Sequence, residues 1–239
     1  MDLEILPTRS AGAAENMAVD FLLLQRYPRP SMPRFRHYDW RGPAFTFGYS
    51  QKIAFIREQV AAQFDGHCDL CRRPTGGGLV DHRDDWTFSL VIPRGHPLEE
   101  LRATQSYREV HEVLAAALRE QGVPAITKAV REAEAAEPGP AGVCFQRAEV
   151  HDVIHERSGE KIAGAAQKRN KQGLLFQGSI AKAAVGVALD WDQLGVNFSQ
   201  KIADALGGET QPMPWPEFNE DELSGLIEQY SSPEWMEGR

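Results

Sequence analysis

The 239-residue sequence has little sulfur, no long apolar run and no excess of positive charge. Three cysteines, Cys68, Cys71 and Cys144, are too few to staple a fold of this length with disulfides. The opening Met1-Asp2-Leu3-Glu4 lacks the basic start and apolar stretch of an export signal, so a reducing cytoplasm is the expected location. No stretch approaches the roughly 18 apolar residues of a membrane span, and no membrane role is expected. Lys and Arg number 26 against 34 Asp and Glu, a formal net charge of −8. That balance argues against a chain built to grip nucleic acid, which needs concentrated cations for phosphates. Internal repeats are absent. So are two phosphate-binding signatures: no Gly-Lys-Ser/Thr follows the glycine-rich segment, and no spaced glycines join a strand to a helix.

Cys68 and Cys71 stand at the spacing of a metal or redox pair, but no second Cys or His pair accompanies them. His67 brings the set to three at most. The segment reads instead as a strand leading into Arg72 and Arg73, with the thiols packed as small apolar groups. No metal site is expected.

What is present is a chain of ordinary globular composition, expected as one domain over residues 1–239. An apolar stripe predicts a helix over 13–26, and short strands follow over 34–39 and 44–49 with the Gly42-Pro43 turn between them. Helical spacing returns over 52–63. Residues 86–92 alternate apolar and polar, the pattern of a half-buried strand. Residues 104–121 carry Tyr107, Val110, Leu114, Ala117 and Leu118 at helical intervals, and Gly122 stops them. Residues 129–142 are rich in Ala, Glu, Pro and Gly and bury almost nothing. They read as an exposed, mobile loop, either a lid or a surface insertion without function. Strands are predicted over 150–156, 161–166 and 174–180, the first two joined through Ser158-Gly159. Helices are predicted over 199–206 and 219–229. Strands in meander order with helices before and after them indicate an α+β layer fold with a mixed, largely antiparallel sheet.

Three features suggest chemistry. The first is Arg72-Arg73-Pro74-Thr75-Gly76-Gly77-Gly78, whose triple glycine lets backbone approach a ligand closely, since no Cβ intervenes. It is either a strained hairpin turn or one wall of a groove, and His82 is close enough in sequence to face the same groove. The second is Lys161, set before Ile162-Ala163-Gly164-Ala165. A strand lysine ordinarily faces solvent at an edge; here the small neighbours leave space beside it for a ligand. The third is Cys144, just after the polar loop and before Phe145, able to hold an acyl group. A close-approach loop, a cation in a narrow space and a single thiol together point to transfer of a carboxylic acyl group.

These blocks resemble the lipoate–protein ligase and octanoyltransferase superfamily, which is related to biotin–protein ligases. Asn16-Met17-Ala18-Val19-Asp20 resembles its first-helix signature. Tyr38-Asp39-Trp40 and Phe47-Gly48-Tyr49-Ser50-Gln51 resemble its early strands. Arg72 to Gly78 with His82 resembles its glycine loop. Lys161 to Gln167 and Gln177-Gly178-Ser179-Ile180 resemble its lysine strand and the strand after it. The Gly-Arg-Gly-Arg-type loop of the biotin branch is absent. Cys144-Phe145 resembles the Cys-Phe pair of the cysteine-dependent, ligase-like octanoyltransferases. The Arg-Asn-Asp triplet of many lipoate ligases is incomplete here, at Val150-His151-Asp152, and residues 180–239 are few for the accessory domain many of those ligases carry.

The resemblance implies the catalytic fold shared with biotin ligases and class II synthetases. It implies Cys144 and Lys161 as catalytic residues. Arg72, Arg73, Thr75, Gly76, Gly77, Gly78, His82, Ala163, Gly164, Gln167 and Ser179 would bind the substrate. The implied reaction moves an octanoyl or lipoyl group from acyl carrier protein, through a cysteine thioester, to a lysine of a lipoyl-accepting protein such as the glycine-cleavage H protein, with no cofactor. Two alternatives remain: ATP- and Mg²⁺-dependent lipoate ligation through an adenylate, and a non-catalytic protein that binds acyl groups or lipoyl domains.

Overall fold

The computed structural model describes residues 1–25, 31–129 and 148–238. Cys144 and all but the first residue of the predicted loop 129–142 lie outside the described residues.

The large sheet is built on strands β1 (Leu3–Ile5), β2 (Arg9–Ala11), β3 (Arg34–Trp40) and β7 (Asp85–Pro93). It is completed by β8 (Ala125–Thr127), β9 (Val153–His155), β10 (Lys161–Asn170), β11 (Gly173–Ala181) and β12 (Thr210–Pro212). Their order is β12-β1-β3-β7-β11-β10-β9-β8, with β2 also pairing β3. From β3 through β8 every pairing is antiparallel, while β12, β1 and β2 join in parallel. A second, three-stranded sheet has the order β5 (Asp69–Arg72), β4 (Ala44–Phe47), β6 (Leu79–Asp81). The mixed, largely antiparallel α+β architecture is the predicted one.

Helices cover both faces of the large sheet. On one face lie α4 (Ala103–Glu120) and α5 (Trp191–Ala205), whose Val110, Leu114, Leu118, Phe198 and Ile202 pack on Phe35, Phe88, Phe176 and Ile180. Gly122 ends α4 at φ 82°, a left-handed value that glycine adopts without a Cβ clash. On the other face α1 (Ala13–Gln25) lies between the sheet and α6 (Glu220–Ser231). The remaining helices are α2 (Ile53–Ala61), α3 (Pro97–Glu100) and α7 (Pro233–Glu237). No described helix is long and apolar enough to cross a membrane.

This two-sided cover corrects one expectation. β7 alternates as a half-buried strand does, yet all nine of its residues are buried. Trp86, Phe88 and Leu90 enter the main core. Thr87 and Ser89 face the α1 side and bury their hydroxyls there, because hydrogen bonds satisfy them: Ser89 Oγ donates to Asp20 at 2.7 Å and Thr87 Oγ1 to Asp85 at 2.8 Å. Among the other boundaries, two differ most. β10 runs on to Asn170, since its polar end still pairs with Gly173, Leu174 and Leu175. α5 begins at Trp191 rather than near 199, capped by Asp190, whose side chain accepts from the Gln193 N–H at 3.0 Å.

Candidate functional site

The α1 face of the large sheet is only partly covered by helix. The small sheet and its glycine loop cover the rest, and a pocket remains between the two sheets. One wall is β10 and β11, where Gly164, Ala166, Gln177 and Ser179 contribute; the other is Thr46, Arg73, Gly77, Val80 and His82. Met17, Tyr38, Trp40 and Thr87 complete the lining, and Lys161 reaches it from the start of β10.

Lys161 is 8% exposed, and its ammonium lies 2.8 Å from Asp152 Oδ2. A buried cation needs such a partner. A register shift between Lys161 and Ala163 puts Lys161 and Gly164 side by side. A Cβ on Gly164 would stand 2.7 Å from Lys161 Nζ.

The glycine loop is wrapped around a guanidinium. Arg73 donates to the carbonyls of Gly76 and Gly78, both at 2.9 Å, and to Thr46 Oγ1 at 2.8 Å. Gly77 turns through φ 88° to line the pocket. Behind it Gly48 approaches so closely that a Cβ there would lie 1.9 Å from the Gly77 oxygen.

His82 closes another side. Its Nδ1 is 2.7 Å from Asp85 Oδ2 and its Nε2 is 2.7 Å from Thr46 Oγ1. The ring stacks on Trp40 at 4.0 Å between centroids. Trp40 in turn donates its indole N–H to Thr87 Oγ1 at 2.9 Å. Burial alone would raise the Asp85 pKa. The nearby His82, with hydrogen bonds from His82, Ser179 and Thr87, outweighs it and holds Asp85 below the ordinary carboxylate value.

Of the residues singled out from sequence, Arg73, Gly77, His82, Lys161, Gly164 and Ser179 meet at this pocket. Thr75 touches it indirectly by donating to Gln177 Oε1 at 2.8 Å. Arg72 points away: adjacent strand residues face opposite sides, and its guanidinium donates to the carbonyls of Trp235, Met236, Tyr49 and Gln51. Ala163 is fully buried in the main core on the opposite face. Gln167 is tied to α4 through Ala103 O and Ser106 Oγ. Cys71 is buried, and burial pushes its thiol up to about 12, so it is inert as a nucleophile.

A family model described as the lipoyl protein ligase A/B catalytic domain matches residues 12–189. The chain belongs to that family. An octanoyltransferase LipM of Exiguobacterium sp. is 27% identical over 97% of this chain and 96% of that protein. The octanoyltransferase LipM of Symbiobacterium thermophilum is 29% identical over 97% and 96%. That of Bacillus subtilis is 31% identical over 72% of this chain and 62% of its own length. Among solved structures, a bi-partite lipoate protein ligase of Thermoplasma acidophilum superposes with a TM-score of 0.73 at 19% identity, over 100% of this chain and 97% of that one. A lipoate-protein ligase A bound with ATP gives a TM-score of 0.73 at 18% identity, over 100% and 99%. At these identities the structures establish the shared fold.

Several residues that line this pocket or hold its lining in place carry no local sequence signal of that position. Met17, Tyr38, Trp40 and Gln177 lay within segments noted only as signatures. Asp85, Thr87 and Asp152 were not singled out as site residues at all. A buried strand with polar residues at every second position, as in β7, is the one sequence signal that marks such a wall.

Proposed function

We propose that the protein moves an octanoyl group from the thioester of an acyl carrier protein to a lysine of a lipoyl-accepting protein, the glycine-cleavage H protein being the acceptor expected for this branch. The observation that carries this reading is Lys161, a buried ammonium held by Asp152 at the edge of a pocket walled by backbone and small side chains. The near full-length likeness to proteins named octanoyltransferase LipM supports the choice of acyl group.

In the first step the Cys144 thiolate attacks the acyl carbonyl. A carbon–sulfur bond forms to Cys144, the bond to the carrier's sulfur breaks, and that sulfur leaves as a thiol after taking up a proton. In the second step the neutral acceptor amine attacks the Cys144 thioester. The amide forms, Cys144 departs as thiolate, and the amine's surplus proton goes to Lys161, replacing the one its ammonium gave the carrier's sulfur in the first step. Thioester to amide is downhill, so no nucleotide is required. The obstacles are kinetic. A free thiol of pKa about 8.5 is only a few per cent thiolate at neutral pH. A free lysine of pKa about 10.4 is neutral in roughly one molecule in 2,000 at pH 7. An ammonium near the reacting sulfur favours thiolate and steadies the oxyanion that develops at the carbonyl.

The described chain brings the ends of the Cys144 segment close to Lys161's partner. Lys128 donates its backbone N–H to Asp152 O at 2.9 Å and its Nζ to Ala148 O at 3.0 Å. Cys144 precedes Ala148 by four residues, an extended reach of about 14 Å.

Intact mass of the protein mixed with octanoyl-carrier protein tests the reading. One octanoyl adduct that maps to Cys144 and is absent from Cys144→Ser is expected, with transfer independent of ATP and Mg²⁺. Activity that survives Cys144→Ser and requires ATP would instead favour ligation through an adenylate.

A further inference from the structure

Lys161 is a flexible point charge on a four-carbon stem, so its position is set by the acceptor it meets. That acceptor is itself tightly held. Asp152 is 1% exposed. Its Oδ2 faces Lys161 Nζ at 2.8 Å and accepts the Glu149 N–H at 2.7 Å. Its Oδ1 accepts the hydroxyl of Tyr107, from α4. The same hydroxyl accepts the Ala165 N–H at 3.0 Å, from the strand that begins at Lys161. The directions of these bonds are forced: an ionised carboxylate only accepts and an amide N–H only donates, so the Tyr107 hydroxyl must donate to Asp152 and accept from Ala165.

Tyr107 does not line the pocket, whereas Lys161 and Ala165 both do. Its ring lies edge-on to His111 at 4.1 Å between centroids. Burial lowers His111 to about 4, so the imidazole behind the pair is neutral near pH 7 and brings no rival cation to Asp152. We propose that Tyr107 is a positioning residue: by tying the second oxygen of Asp152 to the Ala165 N–H, it fixes where the Lys161 ammonium stands against the pocket. Without the hydroxyl, Oδ1 loses its tie to β10, and the Glu149 N–H and the lysine itself are left to hold the carboxylate through Oδ2.

The proposal rests on Lys161 acting in the transfer reaction, and the test separates the two. Full-length wild type, Lys161→Ala, Tyr107→Phe, Asp152→Asn and the Tyr107→Phe/Asp152→Asn double variant are compared with an octanoyl thioester and acceptor. Tyr107→Phe is expected to lower kcat about tenfold while KM for the acyl donor stays within about twofold, because a hydrogen bond to a charged group is lost away from the pocket. In the Asp152→Asn background the same change should add little, since its route runs through the carboxylate. NMR of ¹⁵N-lysine-labelled wild type should show a slowly exchanging Lys161 ammonium that disappears in Tyr107→Phe.

An inactive Lys161→Ala beside a Tyr107→Phe with wild-type kcat overturns the role of Tyr107 alone. So does a fully additive loss in the double variant, or a Lys161 resonance untouched by Tyr107→Phe. A fully active Lys161→Ala removes the reading of Lys161 instead. Should Tyr107→Phe fail to fold, two measurements still decide: a wild type without a slowly exchanging Lys161 ammonium, or an Asp152→Asn with unchanged kcat, overturns the proposal.

Discussion

The Lys161 ammonium occupies the space that a side chain on Gly164 would fill. A Cβ at Gly164 would stand 2.7 Å from both Cε and Nζ of Lys161 and 3.1 Å from Asp152 Oδ1. The first two atoms are the far end of a flexible side chain, so it is the lysine that yields and not the strand. Gly164→Ala should therefore leave the thermal midpoint near wild type and lower kcat of acyl transfer by about 100-fold, the scale set by misplacing a reacting group by about 1 Å. Thermal melts and steady-state kinetics on one preparation check it. A variant with full activity would show that Lys161 need not stand where it does.

Gly48 presents the opposite case. Its missing Cβ faces backbone, with the Gly77 oxygen 1.9 Å and the Gly76 carbon 2.7 Å from the ideal Cβ position. Backbone does not swing aside as a lysine does. The loop is also tied locally, through the Tyr49 N–H to Thr75 O at 2.9 Å and Gln51 Nε2 to Gly77 O at 3.3 Å. Gly48→Ala should cost about 1–3 kcal/mol of stability, as overpacking does, and should raise KM because Gly77 lines the pocket. Denaturant melts and donor titrations read the two effects. An unchanged midpoint would mean that the loop is looser than its contacts indicate.

How legible these contacts were depends on how local they are. The glycine triplet, the lysine strand and their order announced the fold and half of the pocket, because each is a run of adjacent residues with one backbone requirement. β1, β2, β6, β8 and β12 carry three residues each, too few to show a period, and were missed. Arg72 and Arg73 looked equivalent as a pair. The structure separates them, since one reaches helix α7 more than 160 positions away and the other pins the glycine loop. Tyr107 belongs to the stripe of α4, but only through its ring. Its hydroxyl meets Asp152 45 positions away, and no periodicity encodes such a meeting.

Acid should weaken the protein before its carboxylates titrate. His111 is held down to about 4 from an ordinary 6.5, burial being the largest cause. Between those values the unfolded chain binds a proton that the folded one refuses, so stability falls as pH falls from about 6.5 to 4. The contribution is complete above 6.5 and amounts to roughly 3 kcal/mol by linkage. His37 and His96 are lowered in the same direction by burial and add to the slope. Asp85, held low, loses its own contribution only at still lower pH. Denaturant melts from pH 7.5 to 4 should show this limb, and His111→Gln should flatten it. A slope unaltered by that substitution would place the titration elsewhere.

Gln177 offers a substitution of almost no volume and large consequence. Its Nε2 donates to Asp20 Oδ2 at 2.8 Å, and its Oε1 accepts from Thr75 at 2.8 Å. Asp20 is fully buried and already serves Arg36 at 2.9 Å and Ser89 at 2.7 Å. Gln177→Glu replaces the donor facing Asp20 with an acceptor and sets two carboxylates together out of water. Either the pair repels or one of them keeps a proton. At pH 7 the loss should be about 3 kcal/mol, the scale of breaking a buried charged pairing. Because protonation of the introduced carboxylate restores a donor to Asp20, the deficit against wild type should shrink as pH is lowered toward 5. Paired melts of both proteins across that range measure the difference. A pH-independent deficit would assign the loss to packing instead of charge, and the absence of any deficit would mean that the amide at 177 does not hold Asp20.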